Sequence, residues 1–140
     1  MVGLGCGARS YTRALHYATE YAVGRSSVRA ILADYVCRLS EAFDVADFGA
    51  PLDTEEQQRR HVIKSLLRAE GLNLDAYRRR FGSDAIVDLP ELELLESRGL
   101  ALCSPGSLRL TDSGLEMSDW IGPWLYSDTA RRQMEDHVLR

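Results

Sequence analysis

The first ten residues hold the pattern closest to a chemical motif. Gly3, Gly5 and Gly7 alternate in the run GLGCGA, which matches the GxGxxA fingerprint of dinucleotide-binding turns. That fingerprint needs a strand before it and a helix after it, but only Met1-Val2 precedes the run, and the residues after it do not open an apolar-periodic helix. Alternate glycines more simply indicate a strand end where something packs or binds close to the backbone.

The cysteines and histidines do not form a metal-ligating pattern. The chain contains no CxxC, CxxxCxxC, HxxxH or HExxH spacing. Three cysteines at wide spacings indicate reduced thiols in a cytosol rather than a disulfide framework. We therefore predict no metal ligands and no catalytic residues in this set, which comprises Cys6, Cys37, Cys103, His16, His61 and His137.

Length and composition are typical of one globular domain. The chain has 140 residues, 45% hydrophobic and 27% charged, and its longest uncharged runs are too short for a transmembrane helix. A net charge of −4 opposes non-specific attraction to nucleic acid or to an acidic membrane. We expect a soluble cytoplasmic protein with no membrane contact and no strong affinity for nucleic acid.

The first 52 residues predict one or more strands, a helix and a connector. Apolar alternation from Ala14 to Val23 predicts a strand that stops at Gly24. Apolar residues from Val28 to Leu39, spaced i, i+3, i+4 and i+7 after a Ser26-Ser27 cap, predict an amphipathic helix. Phe43 to Leu52 then predicts an extended connector.

Residues 53–140 predict a second, helical module. Asp53 or Thr54 caps a helix that runs through Glu70 and stops at Gly71, and it should bury Val62, Ile63, Leu66 and Leu67. A short helix spans Leu74 to Phe81, ends at Gly82 and exposes Arg78, Arg79 and Arg80. A third begins with Asp88 as cap, Pro90 in the first turn and Glu91 completing a capping box, buries Leu89, Leu92 and Leu95, and ends at Gly99. A hairpin follows, with strands Leu100 to Cys103 and Leu108 to Leu110 around the turn at Pro105-Gly106.

Helix, helix, helix and hairpin is the order of a winged helix, so the third helix must be tested as a reader of DNA. Asp88, Glu91, Glu93 and Glu96 face Arg98 alone, a net charge of −3 that repels phosphate. Sequence-specific DNA binding is therefore not expected, although the three arginines of the second helix could contact a phosphate backbone. We expect this module to pack on another protein surface.

The final segment predicts two more helices and an aromatic anchor. Thr111-Asp112 caps a helix that reaches Ile121 and stops at Gly122-Pro123. Trp120 and Trp124 are large anchors expected to close the module. A terminal helix starts at Ser127 or Asp128 and carries Ala130, Met134 and Val138 on one face.

Several segments, in this order, carry a family resemblance. Residues 3–11 (GLGCGARSY), 59–66 (RRHVIKSL), 92–100 and 110–115 (LTDSGL), with 115–123 (LEMSDWIGP), resemble the C-terminal part of oxygen-independent coproporphyrinogen III oxidase-like radical SAM proteins. The fold expected from pattern and resemblance together is α+β and mostly helical. Residues 1–52 would end the radical SAM partial barrel and add a connector helix, and residues 53–140 would form the winged-helix-like domain.

The resemblance implies chemistry that this chain lacks the residues to perform alone. Such enzymes hold a [4Fe-4S] cluster through a CxxxCxxC motif and reductively cleave S-adenosylmethionine, whereas this chain has no such motif. We expect a truncated C-terminal portion that needs an N-terminal barrel, in cis or as a split partner, and that acts on a tetrapyrrole-related or unknown substrate. By this resemblance, Gly3, Gly5, Gly7, Arg9 and Ser10 would lie near cofactor or substrate, although Arg9 replaces the histidine common in the family. The glycines could equally serve only to relieve crowding at the last barrel strand, with Arg9 a surface cation.

The sequence allows one alternative function, and the barrel hypothesis has one further consequence. The chain could instead be a stand-alone winged-helix module that binds DNA or protein. If it is a barrel remnant, the segment from Ala14 to Val23 would expose an unpaired strand edge, and two copies could associate through this N-terminal edge.

Overall fold

The computed structural model describes residues 1–19, 25–46 and 48–138. Over these residues the protein is α+β, with helices and two small antiparallel sheets. The chain divides into two compact units, Met1–Asp53 and Thr54–Arg140, here called unit 1 and unit 2. In the described part of the chain, no helix combines the length and the apolar character needed to cross a bilayer.

The described residues of unit 1 form a three-stranded antiparallel sheet, one helix and one 3-10 turn. The strand order is β1-β2-β3, and residue Tyr17 of the central strand lies between Ser10 and Gly49. The elements are β1 Arg9–Tyr11, β2 Leu15–Ala18, α1 Arg25–Cys37, the 3-10 turn Ser40–Phe43 and β3 Phe48–Pro51.

One expectation for unit 1 is wrong, and a second is incomplete. Alternation correctly predicts a strand at Leu15–Ala18, but this strand is central and hydrogen-bonded on both sides, so it presents no unpaired edge. The predicted strand end at Val23 and Gly24 lies outside the described residues. The connector ends in a strand, β3, because Gly49 admits close approach: a Cβ there would lie 2.8 Å from the carbonyl oxygen of His16.

Helix α1 has the predicted apolar stripe but does not bury it. The helix begins at Arg25, so Ser26 and Ser27 lie in its first turn instead of capping it. Along the stripe Val36 is 80% exposed, and Leu39 just beyond the helix is 75% exposed. Tyr35 makes an edge contact with Phe43, with ring centroids 5.3 Å apart. The apolar stripe is therefore only partly covered within the described residues of unit 1.

Unit 2 contains ten elements in the described residues, and its sheet has the order β4-β6-β5. They are α2 Thr54–Leu66, β4 Leu72–Asn73, α3 Leu74–Phe81, α4 Ala85–Asp88, α5 Glu91–Ser97, β5 Ala101–Ser104, β6 Ser107–Leu110, α6 Asp112–Glu116, α7 Ser118–Trp124 and α8 Asp128–Val138.

One continuous hydrophobic core holds unit 2 together. Its buried side chains come from helices α2 to α5 and α7, from all three strands, and from the residues that follow α4 and α7. The core residues are Val62, Leu66, Leu72, Tyr77, Ala85, Leu89, Leu92, Leu95, Ala101, Leu108, Ile121 and Leu125. Burial of this many large apolar side chains stabilises the unit, since each contributes about 1.5–3 kcal/mol before entropy is counted.

Helix α2 ends at Leu66, four residues earlier than the sequence predicts. The chain turns through Gly71, whose φ of +73° is left-handed, and a Cβ there would lie 2.5 Å from the carbonyl oxygen of Leu108. The early end leaves room for the short strand β4, which the sequence does not predict. This strand pairs with β6. It also leaves Leu67 38% exposed, so its predicted burial is wrong.

The third predicted helix corresponds to α5, and its predicted cap is wrong. Asp88 ends a short helix that the sequence does not predict, α4, which Asp84 caps by accepting a hydrogen bond from the amide of Ile86. Helix α5 begins after Pro90 without a side-chain cap, and Glu91 does not close a capping box. Burial of Leu89, Leu92 and Leu95 is confirmed.

Helix α3 and the hairpin follow the sequence closely. Asn73 caps α3, and Gly82 ends it in the left-handed conformation, with φ +75°. The hairpin pairs Ser104 with Ser107 around Pro105 and a left-handed Gly106.

The last segment departs from the sequence prediction at Pro123. Thr111 caps α6 as predicted, but α7 runs through Pro123 to Trp124, because Ile121 and Leu125 are both buried and hold this last turn on the core. Trp124 packs against the core, whereas Trp120 is 56% exposed. The Trp120 ring stacks on the Trp124 ring, with centroids 5.7 Å apart.

The terminal helix has its predicted start and an open apolar face. The Ser127 hydroxyl caps α8 by accepting a hydrogen bond from the amide of Ala130. Met134 is half exposed, and the side chain of Val138 lies outside the described part of the chain.

Candidate functional site

The predicted site residues form a loop that precedes and includes the start of β1. The amide of Gly3 donates to the Ser10 hydroxyl at 3.0 Å, and Ser10 is buried. The amide of Gly7 donates to the Thr19 hydroxyl at 2.7 Å. Two of the backbone donors that a bound cofactor could use are therefore engaged within unit 1.

Local backbone geometry accounts for the glycines. A Cβ on Gly3 would lie 2.7 Å from the carbonyl oxygen of Arg9, so only glycine fits there. Gly5 and Gly7 have φ values of +101° and +71°, which residues with a side chain rarely adopt. Arg9 is exposed at the start of β1. The structure brings Gly3 and Ser10 together, and the role of the five residues toward cofactor or substrate stays a prediction.

The outer edge of β1 is partly covered by the residues before it. The Met1 amino group donates to the carbonyl oxygen of Tyr11 at 2.9 Å, and the Tyr11 amide donates to the carbonyl oxygen of Met1 at 2.7 Å. Association of two copies through the N-terminal edge stays a prediction, and at β1 it would have to displace these two hydrogen bonds.

The described residues do not fit an iron–sulfur cluster. Cys6 is half-buried in the glycine loop, and Cys37 and Cys103 are exposed on α1 and β5. Among the residues that the structure describes, no three His, Cys, Asp or Glu side chains are grouped to hold a metal ion.

The surface of α5 is acidic. Glu93 and Glu96 are exposed, while Glu91 is paired with Arg59 at 3.1 Å. On α3, Arg78 is also engaged, at 2.6 Å from Asp84. The exposed carboxylates of α5 would repel a phosphate backbone, whereas the exposed Arg79 and Arg80 of α3 would attract one.

Asp88 is the centre of a polar network that the sequence does not predict. One carboxylate oxygen, Oδ2, accepts hydrogen bonds from the buried Tyr77 hydroxyl at 2.7 Å, from Gln58 Nε2 at 2.7 Å and from the Ser83 hydroxyl. Burial raises the pKa of Tyr77, and the bond to Asp88 raises it further. The network joins α2, α3 and α4 through one carboxylate.

An aromatic cluster lies on the neighbouring part of α2 and α3. His61 lies against the rings of Tyr77 and Phe81, with centroids 5.9 and 5.6 Å away. Arg80 Nη1 is 3.3 Å from His61 Nδ1. Burial lowers the pKa of His61, and the positive charge of Arg80 lowers it further.

A polar cavity of about 280 Å³ lies among α2, α5 and the start of α8. Arg59 crosses it: Nε donates to Glu55 at 2.8 Å, and Nη1 donates to Glu91 and to the carbonyl oxygen of Leu125, both at 3.1 Å. The cavity is lined by Glu55, Arg59, Glu91, Tyr126, Ser127, Asp128, Thr129 and Arg131.

Little in the sequence could have located this cavity. Glu55 and Arg59 stand four residues apart, an ordinary helix-surface ion pair. Glu91 and Leu125 lie 32 and 66 positions further along the chain from Arg59, and their approach depends on how the core packs. The sequence also predicted a capping box at Glu91, and that prediction does not include a contact with Arg59.

Comparison of the chain with protein families, with curated proteins and with solved structures found no match.

Proposed function

We propose that the chain is the C-terminal accessory portion of a coproporphyrinogen III oxidase-like radical SAM oxidoreductase, and that it is not catalytic alone. Unit 1 would complete the partial barrel of the enzyme, and unit 2 would be a winged-helix-like domain that covers the barrel opening and helps to exclude water from radical chemistry. The setting would be the cytoplasm, where the cysteines stay reduced.

The observation that carries the proposal is the uncovered apolar surface of unit 1. Among its described residues only Ser10 is buried, and α1 exposes the apolar side chains of Leu32 and Val36. A sheet and a helix without a buried apolar core need further protein to cover them. A larger domain, of which unit 1 is one end, would supply that cover.

Unit 2 supports the second half of the proposal. Its order of helix, strand, helix, a helix pair and a hairpin, with the sheet order β4-β6-β5, is consistent with a winged helix. Its acidic α5 favours contact with protein over contact with DNA. A stand-alone module that binds DNA or protein is the alternative that the tests below separate.

The state of the polypeptide in its own cells tests the proposal directly. Anaerobic purification through an affinity tag at the C-terminus should recover an iron–sulfur protein with a CxxxCxxC motif, either in the same polypeptide or bound to it. The genomic sequence upstream of the Met1 codon should then encode that motif in frame, or a separate gene should encode it. A native 15.7-kDa polypeptide without iron would overturn the proposal.

A pair of α1 variants tests the surface itself if the barrel is a separate chain. Val36→Glu places a charge on the exposed stripe and should abolish co-purification of the iron–sulfur partner. Ala30→Glu places the same charge on the opposite face of the helix and should leave co-purification intact. Equal recovery with both variants would show that the stripe does not contact the partner.

Two measurements on the isolated chain separate the alternatives. Anaerobic reconstitution should yield no stoichiometric cluster and no cleavage of S-adenosylmethionine. Titration with random duplex should show only weak, non-specific binding, with Kd of about 10⁻⁴ M or weaker at physiological salt. A nanomolar, sequence-selective complex that survives competitor would instead establish the DNA-binding module.

A further inference from the structure

The cavity of unit 2 holds a carboxylate with one unsatisfied oxygen. Glu91 Oε1 accepts from Arg59 at 3.1 Å, while Oε2 is buried and has no hydrogen-bond partner in the structure. A buried carboxylate oxygen without a donor is costly, because it has lost its water and gained nothing in return. Glu91 lines the cavity, so its unpartnered oxygen indicates that a donor is missing from this site.

The net charge of the residues that line the cavity indicates the charge of the missing donor. Three carboxylates and two guanidinium groups line it, leaving one uncompensated negative charge. Both arginines are committed: Arg59 is paired with Glu55 and Glu91, and Arg131 donates to the carbonyl oxygen of Trp124 at 2.6 Å and lies 3.7 Å from Asp128. A ligand that carries a single positive charge balances the site.

The size and chemistry of the lining narrow the ligand further. At about 280 Å³ the cavity is at the small end of ligand pockets, which span about 300–1,000 Å³, and its lining is polar where most are apolar. Hydroxyls of Tyr126 and Thr129 add further hydrogen-bonding groups beside the carboxylates. A compact group with three donors fits this lining better than a planar aromatic one.

We propose that this cavity binds a primary ammonium group, and that Glu91 Oε2 is its principal acceptor. The terminal torsion of a glutamate is soft, so a small rotation of the carboxyl group exposes Oε2 to the ligand while Oε1 keeps its bond to Arg59. The ammonium group belongs either to a small free amine or to a lysine side chain of another protein. This site lies wholly within unit 2 and does not depend on the barrel proposed above.

Titrations of the full chain followed by ¹H–¹⁵N NMR test the site. The probe is n-butylamine at neutral pH, and the signals to follow are Arg59 Nε–H and the backbone amide of Glu91. We expect saturable shifts with n-butylamine and none with n-butanol, which has the same length but no charge. Equal shifts with the two probes, or none with either, would overturn the proposal on the wild-type protein alone.

A matched pair of variants tests the acceptor. Glu91→Gln keeps an oxygen for Arg59 but removes the charge, and it should weaken amine binding at least about tenfold, the equivalent of 1.4 kcal/mol. Glu93→Gln makes the same change two residues away, on an exposed part of α5, and should bind like the wild type. Unchanged affinity in Glu91→Gln, with its urea midpoint near that of the wild type, would exclude Glu91 as the acceptor.

A third probe identifies the source of the ammonium group. Nα-acetyl-lysine methylamide presents the same group on a peptide backbone. Tighter binding than n-butylamine assigns the site to a lysine of a partner, and weaker binding assigns it to a small amine.

Discussion

Removal of the Asp88 carboxylate should destabilise unit 2 more than any surface substitution. In Asp88→Ala the Tyr77 hydroxyl stays buried, since Tyr77 has no exposed surface, and it loses the acceptor 2.7 Å away. Gln58 and Ser83 lose the same acceptor, but both are only half-buried and can regain water.

The magnitude follows from these three contacts. A buried donor left without a partner costs about 1–3 kcal/mol, and each of the two half-buried donors adds about 0.5 kcal/mol, for a total near 3 kcal/mol. That is a large share of the about 5–15 kcal/mol by which small domains are stable.

Urea unfolding followed by tryptophan fluorescence measures the loss. Both tryptophans of the chain, Trp120 and Trp124, lie in α7, so the signal reports on unit 2. Asp88→Ala should lower the midpoint while the slope stays unchanged. Glu96→Ala, on an exposed position of α5, is the control and should change stability by less than about 0.5 kcal/mol.

A double-mutant cycle with Tyr77→Phe separates the hydrogen bond from other effects of the substitution. Without its hydroxyl, residue 77 no longer needs the carboxylate, so Asp88→Ala should cost about 1–2 kcal/mol less in the Tyr77→Phe background. An Asp88→Ala protein as stable as the Glu96→Ala control, or a cycle with no coupling, would refute this account of the network.

Three further predictions concern titration and packing. Because burial raises the pKa of Tyr77 in the folded protein, stability should fall as the pH rises above about 10, where the unfolded chain begins to lose the proton, and Tyr77→Phe should reduce this loss. Since burial and then Arg80 lower the pKa of His61, stability should fall as the pH drops below about 6.5, and Arg80→Ala should raise the pKa of His61 in an NMR titration. Gly114→Ala should destabilise unit 2 by about 1–3 kcal/mol or more in urea unfolding, because its Cβ would lie 2.0 Å from the carbonyl oxygen of Leu100.

Two of the three have a control. Arg98→Ala should leave the pKa of His61 unchanged. Ala in place of Gly82 meets no atom within 4 Å and tests backbone strain alone, at about 1 kcal/mol. A milder effect at Gly114 than at Gly82 would contradict the packing argument.

Local signals in the sequence determined much of unit 2. Asn73 caps the start of α3, Gly82 ends the helix, and Pro105-Gly106 forms the hairpin turn. Such signals are local because caps and turns depend on the backbone conformation of a few adjacent residues. The apolar period of the third predicted helix likewise identified Leu92 and Leu95 as core residues.

The same kind of reasoning reached only part of the candidate sites. It identified Gly3, Gly5 and Gly7 as positions where the backbone needs room, but not that the Thr19 hydroxyl would occupy the amide of Gly7. The helical period predicted the stripe of α1, yet a period cannot show whether anything covers the stripe.

Only the tertiary structure decided the roles of the polar residues in unit 2. Asp88 and Glu91 both fit helix-capping patterns, and each instead meets donors about 30 residues away, Gln58 and Arg59 respectively. A capping pattern can be recognised within four residues, whereas a contact between distant segments depends on how the whole core brings their helices together. Sequence spacing therefore determined where the helices of unit 2 lie along the chain to within a few residues, and packing determined which carboxylates became acceptors for distant donors.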